Sequence, residues 1–425
     1  MSLMTPGRWI TKRSTARPID VILTDAKLRQ ALVAVRALGA GGYTVGAVEC
    51  MSTRGVPAFS SRWCAATARV EDRDVDPKAM VQQLVHLASS NSKDVVVIPT
   101  HDGTIAAIQE RRVEVEAHCA LALARSEPLD AANDKRTTLE LAGELGIRIP
   151  VSVTVADEAE IRDAVTSIPM PAVLKPERSW VVAGEERRRL GVRLAHSASE
   201  ASEQLRAMLH LGAVVLVQDW IPGERVAVSF VHARGSFYGE FAQIAHRMLP
   251  ILGGESVLRE SVPLPEDATT DARRLVSELE LDGYAEVEFR RDADGTPVLM
   301  EINPRLSASI ECAVRAGVDF PGLVRAWATN ELPDPGKSSY RTGVRVRWLA
   351  ADVKWLLDNA RQQGAPDTVA SRDAVSSFFK DFRKPTSYDY FDARDLRPAL
   401  VAVASDVAWL ARNLNQRLAP PRHHQ

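Results

Sequence analysis

Residues 284 to 305 hold the densest set of groups that could do chemistry. Two runs with alternating apolar residues, Tyr284–Phe289 and Pro297–Arg305, flank an Asp294–Gly295 pair. Asp–Gly is a strong signal for a two-residue hairpin loop, because a type I′ turn needs positive φ at both central positions. With that loop, Glu288 stands opposite Glu301 and Glu286 opposite Asn303. Side chains alternate faces along a strand. Glu286, Glu288, Glu301, Asn303 and Arg305 then share one face, while Val287, Phe289, Met300 and Ile302 share the other. Opposed Cβ atoms lie roughly 4.5–5.5 Å apart, and like charges there repel. A hard cation between the carboxylates resolves the conflict, and oxygen donors suit Mg²⁺ beside phosphate. A solvated hairpin face with charges spaced by chance explains the same pattern, so the remaining chain decides.

The elements needed to position such a site can be read from the rest of the sequence. The 425 residues are enough for two to three domains, with 45% hydrophobic and 25% charged residues and a net charge of −2. That balance gives no basic surface for nucleic acid, and the apolar runs are strand-length, too short for a bilayer. No apolar leader core is present at the N-terminus, and a cytoplasmic protein is expected. Cys50, Cys64, Cys119 and Cys312 are scattered without a CxxC pair, which argues for reduced thiols over a disulfide framework or zinc site.

Residues 1–17 read as a flexible lead-in. Ile19–Leu23, the helical run Leu28–Leu38 and Tyr43–Val48 make a βαβ opening, which predicts a parallel sheet. The Gly39–Gly42 cluster follows the helix, so it caps the helix and is misplaced for a dinucleotide fingerprint. His101 and Asp102 follow the strand ending at Pro99, at the edge where open α/β sheets bind ligands; a helix N-cap is the simpler account of them. Lys135 falls in the first turn of a helix capped by Asn133 or Asp134, against the helix dipole. Lys175 ends the apolar strand Pro171–Leu174, where it needs an anion or an exit to water. Residues 178–191, with Arg187–Arg189, form a polar loop that lacks the Walker pattern. Strands at 213–217, 226–230 and 237–244 and a helix at 270–281 lead into the hairpin. The remainder reads as a helix at 308–316, a loop-rich stretch at 361–396 and a final helix at 397–418.

The order Lys135, Lys175, Gln218–Asp219–Trp220–Ile221–Pro222–Gly223, Gly253–Gly254–Glu255–Ser256–Val257 and Glu288…Glu301-x-Asn303-x-Arg305 resembles the ATP-grasp superfamily. It looks most like the stand-alone carboxylate–amine ligases, a group that includes D-aspartate ligase-like and dipeptide ligase-like proteins. The resemblance implies a mixed α/β and α+β chain. A Rossmann-like domain over 18–125 would precede an ATP-grasp fold of two α+β subdomains over 126–330, with a lid subdomain near 146–217, and a mostly helical extension would fill 331–425.

For activity, the resemblance implies an ADP-forming C–N ligase working through an acyl phosphate, with ATP and Mg²⁺ (or Mn²⁺) as cofactors; the alternatives are another ATP-grasp reaction, a carboxylation or a nucleotide-precursor ligation, or a non-catalytic ATP- or metabolite-sensing module. Its partners would be a small-molecule carboxylate and amine, with a homodimer compatible. Lys135 and Lys175 would contact ATP phosphates. Gln218, Asp219, Trp220 and Ile221 would face adenine. Glu288, Glu301 and Asn303 would hold the metal, and Arg305, with Lys175, would serve phosphoryl transfer. Arg247, Gly254, Ser256 and Arg259 are candidates for the substrate side, the arginines as bidentate carboxylate clamps. Many relatives carry an acid where this chain has Arg225, so Glu224 becomes the candidate ribose ligand. Arg187–Arg189 are candidates for phosphate contact or for plain solvation.

Overall fold

A computed structural model describes residues 7–11, 18–91, 94–177, 180–183, 186–336 and 339–418. The first sheet has the strand order Ile10–Thr11, Cys64–Val70, Val45–Cys50, Val21–Leu23, Val96–Ile98, Ala120–Leu121. All its pairings are parallel except that of Ile10–Thr11 with Cys64–Val70. Part of the supposed lead-in is therefore an edge strand. Val21–Leu23 and Val45–Cys50 are buried throughout, as a sheet covered on both faces requires. Thr100 and His101, past the carboxyl end of Val96–Ile98, line the cavity described below.

A four-stranded antiparallel sheet follows, ordered Arg193–Ala195, Ala172–Pro176, Val215–Asp219, Ser152–Val155. The helices Ile161–Ser167 and Ala198–Leu209 bury Ile161, Ala164, Ala201, Leu205 and Met208 against it. The residues expected as a loop at 178–191 include two paired strands, Trp180–Ala183 and Glu186–Arg189. The side chains of Arg187–Arg189 lie outside the described residues, as do Arg178 and Gly184.

The central sheet has seven strands in the order Pro297–Asn303, Gly283–Arg291, Arg225–Ala233, Ser236–Leu249, Glu255–Val262, Arg345–Arg347, Thr386–Tyr388. One face packs on the helix Glu266–Glu278 through Ala268, Ala272, Leu275 and Val276, which meet Val228, Phe230, Val287 and Phe289. The last two strands come from the C-terminal stretch, which also forms the helices Leu349–Arg361, Ser371–Lys380 and Arg397–Leu418. The stretch expected to be loop-rich thus holds both a helix and a strand.

Within the hairpin, Glu286↔Asn303, Val287↔Ile302 and Glu288↔Glu301 pair as the alternation predicts. The turn does not follow the expected form. Arg291 pairs with Pro297, Gly295 N–H donates to the Asp292 carbonyl at 3.0 Å, and Gly295 has φ +79°. This is a three-residue loop closed by a left-handed glycine. A one-residue register shift between Glu288 and Phe289 restores the pairing beyond it. Met300 is the extra residue. It does not join Val287 and Phe289 in the core but lines the cavity described below.

Candidate active site

The three sheets enclose a cavity of about 2250 Å³. Its walls bring together Lys135, Lys175, Gln218–Ile221, Glu288, Glu301, Asn303 and Arg305 from segments far apart in sequence. Lys175 extends from the strand Ala172–Pro176, and Lys135 from the first turn of the helix Lys135–Glu144, which Asp134 caps by accepting from Thr137 N–H at 3.0 Å. Gln218 is the penultimate residue of the neighbouring strand Val215–Asp219. Its amide donates to Ser152 Oγ at 2.9 Å, while its Oε1 and an Asp219 carboxylate oxygen are buried without a hydrogen bond. Such orphaned acceptors suit a ligand that brings donors.

The electrostatics of the hairpin follow from its pairing. Burial and the neighbouring Glu301 push Glu288 up to about 8, against the pull of Arg225 and Lys175. Burial also acts to raise Glu301, yet Lys135, Lys175, Arg225 and Arg305 outweigh it and hold that group below its ordinary value. The two carboxyls titrate as a pair, with one protonated and one ionised near neutral pH. Burial, helped by Lys135 and Arg225, brings Lys175 down to about 8, with Glu301 opposing. Asn303 Nδ2 donates to Glu288 Oε1 at 3.0 Å, and a half-turn of the amide would present its oxygen there.

Among the described residues no group of three or more His, Cys, Asp or Glu is arranged for a metal. Two carboxylates and an amide oxygen still fit Mg²⁺, which completes its octahedron with water and phosphate. Arg305 forms a two-pronged ion pair with Asp102, its Nη2 lying 3.1 Å from Oδ2, and its Nη2 is 3.5 Å from Asn303 Oδ1. Burial opposes its charge, but Asp102 holds it firmly protonated.

His101 caps its helix through Nδ1, which accepts from Gly103 N–H at 3.0 Å. Trp220 stacks under the Arg290 guanidinium, whose centre is 4.4 Å from the ring. Glu224 is exposed and does not line the cavity, whereas Arg225 does, 4.0 Å from Glu288. The ribose assignment of Glu224 therefore finds no support in its position.

On the far side, Gly254, Ser256 and Arg259 line the cavity. Arg259 is fully buried, pairing with Asp389 and donating to the Ser309 carbonyl at 3.1 Å. Arg247 corrects the sequence reading. Asp352, at 2.7 and 2.8 Å, and Asp381, at 2.7 Å, take up its guanidinium, which packs on Trp355 away from the cavity. It is not offered to a substrate.

Several lining residues escaped the sequence reading: Arg29, Arg225, Gln243, Ser307 and Ser309. Arg29 sits on the first helix, pairs with Asp389 at 2.8 Å and Glu255 at 2.5 Å, and stacks on Trp348. Nothing local in its sequence marks it. Ser307 and Ser309 continue the period-two alternation beyond Arg305, and that signal could have found them.

Comparison with known proteins places this geometry. A family described as ATP-grasp in the biosynthetic pathway with Ter operon matches residues 213–351. A D-alanine–D-alanine ligase of Gloeobacter violaceus is 28% identical over 218 residues, 46% of this chain and 67% of the relative. A probable α-L-glutamate ligase of Hahella chejuensis is 27% identical over 235 residues, 52% of this chain and 70% of the relative. An N5-carboxyaminoimidazole ribonucleotide synthetase in complex with ADP superposes with a TM-score of 0.60 at 19% identity, over 87% of this chain and 99% of its own, a likeness of fold. The chain has the ATP-grasp fold and is similar to the carboxylate–amine ligases of that superfamily.

Proposed function

We propose that this chain is an ADP-forming ligase that activates a carboxylate with ATP and joins it to an amine. The observation that carries the reading is one cavity wall on which Glu288 and Glu301 face each other beside Lys175, Lys135 and Arg305. Phosphoryl transfer asks a protein mainly for positioning and charge neutralisation. Lys135 and Lys175 hold the phosphates, and Gln218 to Ile221 receive the base. Glu288, Glu301 and Asn303 would hold Mg²⁺, which when bound neutralises charge on the transferring phosphate.

A substrate carboxylate oxygen attacks the γ-phosphorus and ADP departs, leaving an acyl phosphate. An amine nitrogen then attacks the acyl carbon, phosphate leaves, and the nitrogen loses a proton. Arg305, held by Asp102, supports the charge on the transferred phosphate. Leu190, Gly191 and Val192 line the cavity, which supports a water-excluding role for the adjoining paired strands Trp180–Ala183 and Glu186–Arg189. Among the described residues no helix is long and apolar enough to cross a membrane.

The test is ADP release with Mg²⁺ across panels of acids and amines. Glu301→Ala should abolish turnover while leaving the fold intact. Undiminished ADP release by that variant sinks the metal assignment. Tight ATP binding without ADP release on any pair would instead favour a sensing module.

A further inference from the structure

Glu286 lies on the face it shares with Glu288, opposite Asn303 and two pairs further from the turn. It is 3% exposed, yet it lines the cavity. Four neutral donors hold it. The Ser307 and Ser309 hydroxyls approach at 2.8 Å each, and the Ser229 hydroxyl and Gln243 amide at 3.3 Å each. All four reach Oε2. Among the described residues no hydrogen bond reaches Oε1 and no basic side chain forms an ion pair with this carboxylate. The neighbouring cation, Arg305, is paired with Asp102. Gln243 is itself 4% exposed, and its Oε1 is buried without a donor.

A purely structural carboxylate would share both oxygens with the network around it. Here the clamp fixes one oxygen and leaves the other for the cavity. Arg305, engaged by Asp102, is the cation that acts on this buried carboxylate, and a positive group bound in the cavity would add to it. The place of Glu286 along the wall narrows what that group is. Ser307 and Ser309 run on from Arg305, and the Ser309 carbonyl touches Arg259. Glu286 therefore lies between the arginine that would face the acyl phosphate and the buried Arg259–Asp389 pair. An amine substrate reaches the protein as an ammonium ion with three donors and one charge.

The geometry points to Glu286 Oε1 as the group that binds the ammonium of the amine substrate, an inference that rests on the ligase reading above. The serine clamp sets the direction of Oε1, and the ammonium is held next to the activated carboxyl.

The test uses the full chain with Mg²⁺ and a non-hydrolysable ATP analogue. Free D- and L-amino acids are titrated by calorimetry, along with their methyl esters, which keep the ammonium, and their N-acetyl forms, which lose it. At least one ammonium compound should bind, its ester should bind comparably, and its N-acetyl form should not. Glu286→Gln should weaken that binding about 30- to 100-fold, the loss of a charged hydrogen bond, with ATP-analogue affinity and Mg²⁺ requirement unchanged. Glu286→Asp, which keeps the charge but withdraws it, should also lose affinity. The melting midpoint and ATP-analogue affinity show whether each variant is folded.

Equal binding of an N-acetyl form, unchanged ammonium binding by Glu286→Gln, or a raised Mg²⁺ requirement in that variant overturns the proposal, and so does a panel with no binder. ADP release by the wild type with the same compounds judges the ligase reading separately: ammonium binding lost in Glu286→Gln without any ADP release keeps this site and rejects the ligation.

Discussion

Glu288 and Glu301 show how little sequence is needed to define a site when its members face each other across one hairpin. Period-two alternation is local, so the shared face of Glu286, Glu288, Glu301 and Asn303 was legible. The fate of Arg247 was not, because its partners Asp352 and Asp381 lie 105 and 134 positions away. Loose spacing cannot separate an arginine clamp from an arginine in a buried ion network. The same pairing sets a pH dependence. Burial and Glu301 raise Glu288 to about 8, so without metal this carboxyl is protonated below that pH. Mg²⁺ must displace the proton to gain its ligand. Apparent Mg²⁺ affinity should therefore fall by up to about tenfold per pH unit as pH drops below 8, and level off above it. Calorimetric Mg²⁺ titrations in two buffers of different ionisation enthalpy would count the released proton. A flat affinity between pH 6 and 8 would contradict the assignment.

At the scale of elements, the hairpin register came out right through two departures that cancel. Asp292 accepts from the N–H groups of Asp294 and Thr296 at 3.0 and 2.9 Å, which draws the turn into a longer loop than Asp294–Gly295 alone suggests. The extra residue in the loop is matched by the bulge at Met300, and Glu288 still meets Glu301. Neither departure has a distinctive sequence mark, since any Asp can cap a turn and bulges depend on what packs beneath them. The turn is also tied to the adenine-side segment. Gly223 has φ +104°, and a Cβ there would sit 2.0 Å from the Arg291 carbonyl. Gly223→Ala combines a left-handed backbone penalty with a backbone clash, and should cost about 2–4 kcal/mol. Denaturant unfolding should register that loss, and the KM for ATP should rise because residues 218–221 shift relative to the hairpin. An alanine variant with wild-type stability and KM would show that the segment moves freely.

At the scale of the whole molecule, the parallel opening sheet was legible from its continuous apolar strands, and the C-terminal architecture was not. Arg345–Arg347 and Thr386–Tyr388 are three residues each; the second carries no apolar alternation, and in the first the arginines that alternate with Val344, Val346 and Trp348 read as a solvated face although both are buried. They become strands because Glu255–Val262 offers an edge, and because Asp352 and Asp381 accept the arginines that the sheet buries. Charge pairing thus adds to the apolar packing of Val346, Ala351, Trp355 and Ala374 in joining residues beyond 340 to the core. Asp389 is the clearest case. It follows the last strand and meets both Arg259 of the central sheet and Arg29 of the first helix, all three with almost no exposure. Burial acts to raise its carboxyl, but the two guanidinium groups hold it below the usual range. The stability it contributes is therefore present at neutral pH and is lost as pH falls through that depressed value. Asp389→Ala leaves buried Arg259 without a carboxylate and Arg29 with only the half-exposed Glu255, and should cost about 3–5 kcal/mol in denaturant unfolding at pH 7. Asp389→Asn should cost less and flatten the acid limb of stability against pH. Because Arg29, Glu255 and Arg259 line the cavity, the alanine variant should also lose ATP-dependent turnover beyond what its unfolded fraction explains. A loss below about 1 kcal/mol would mean that Asp389 contributes little to holding the C-terminal stretch.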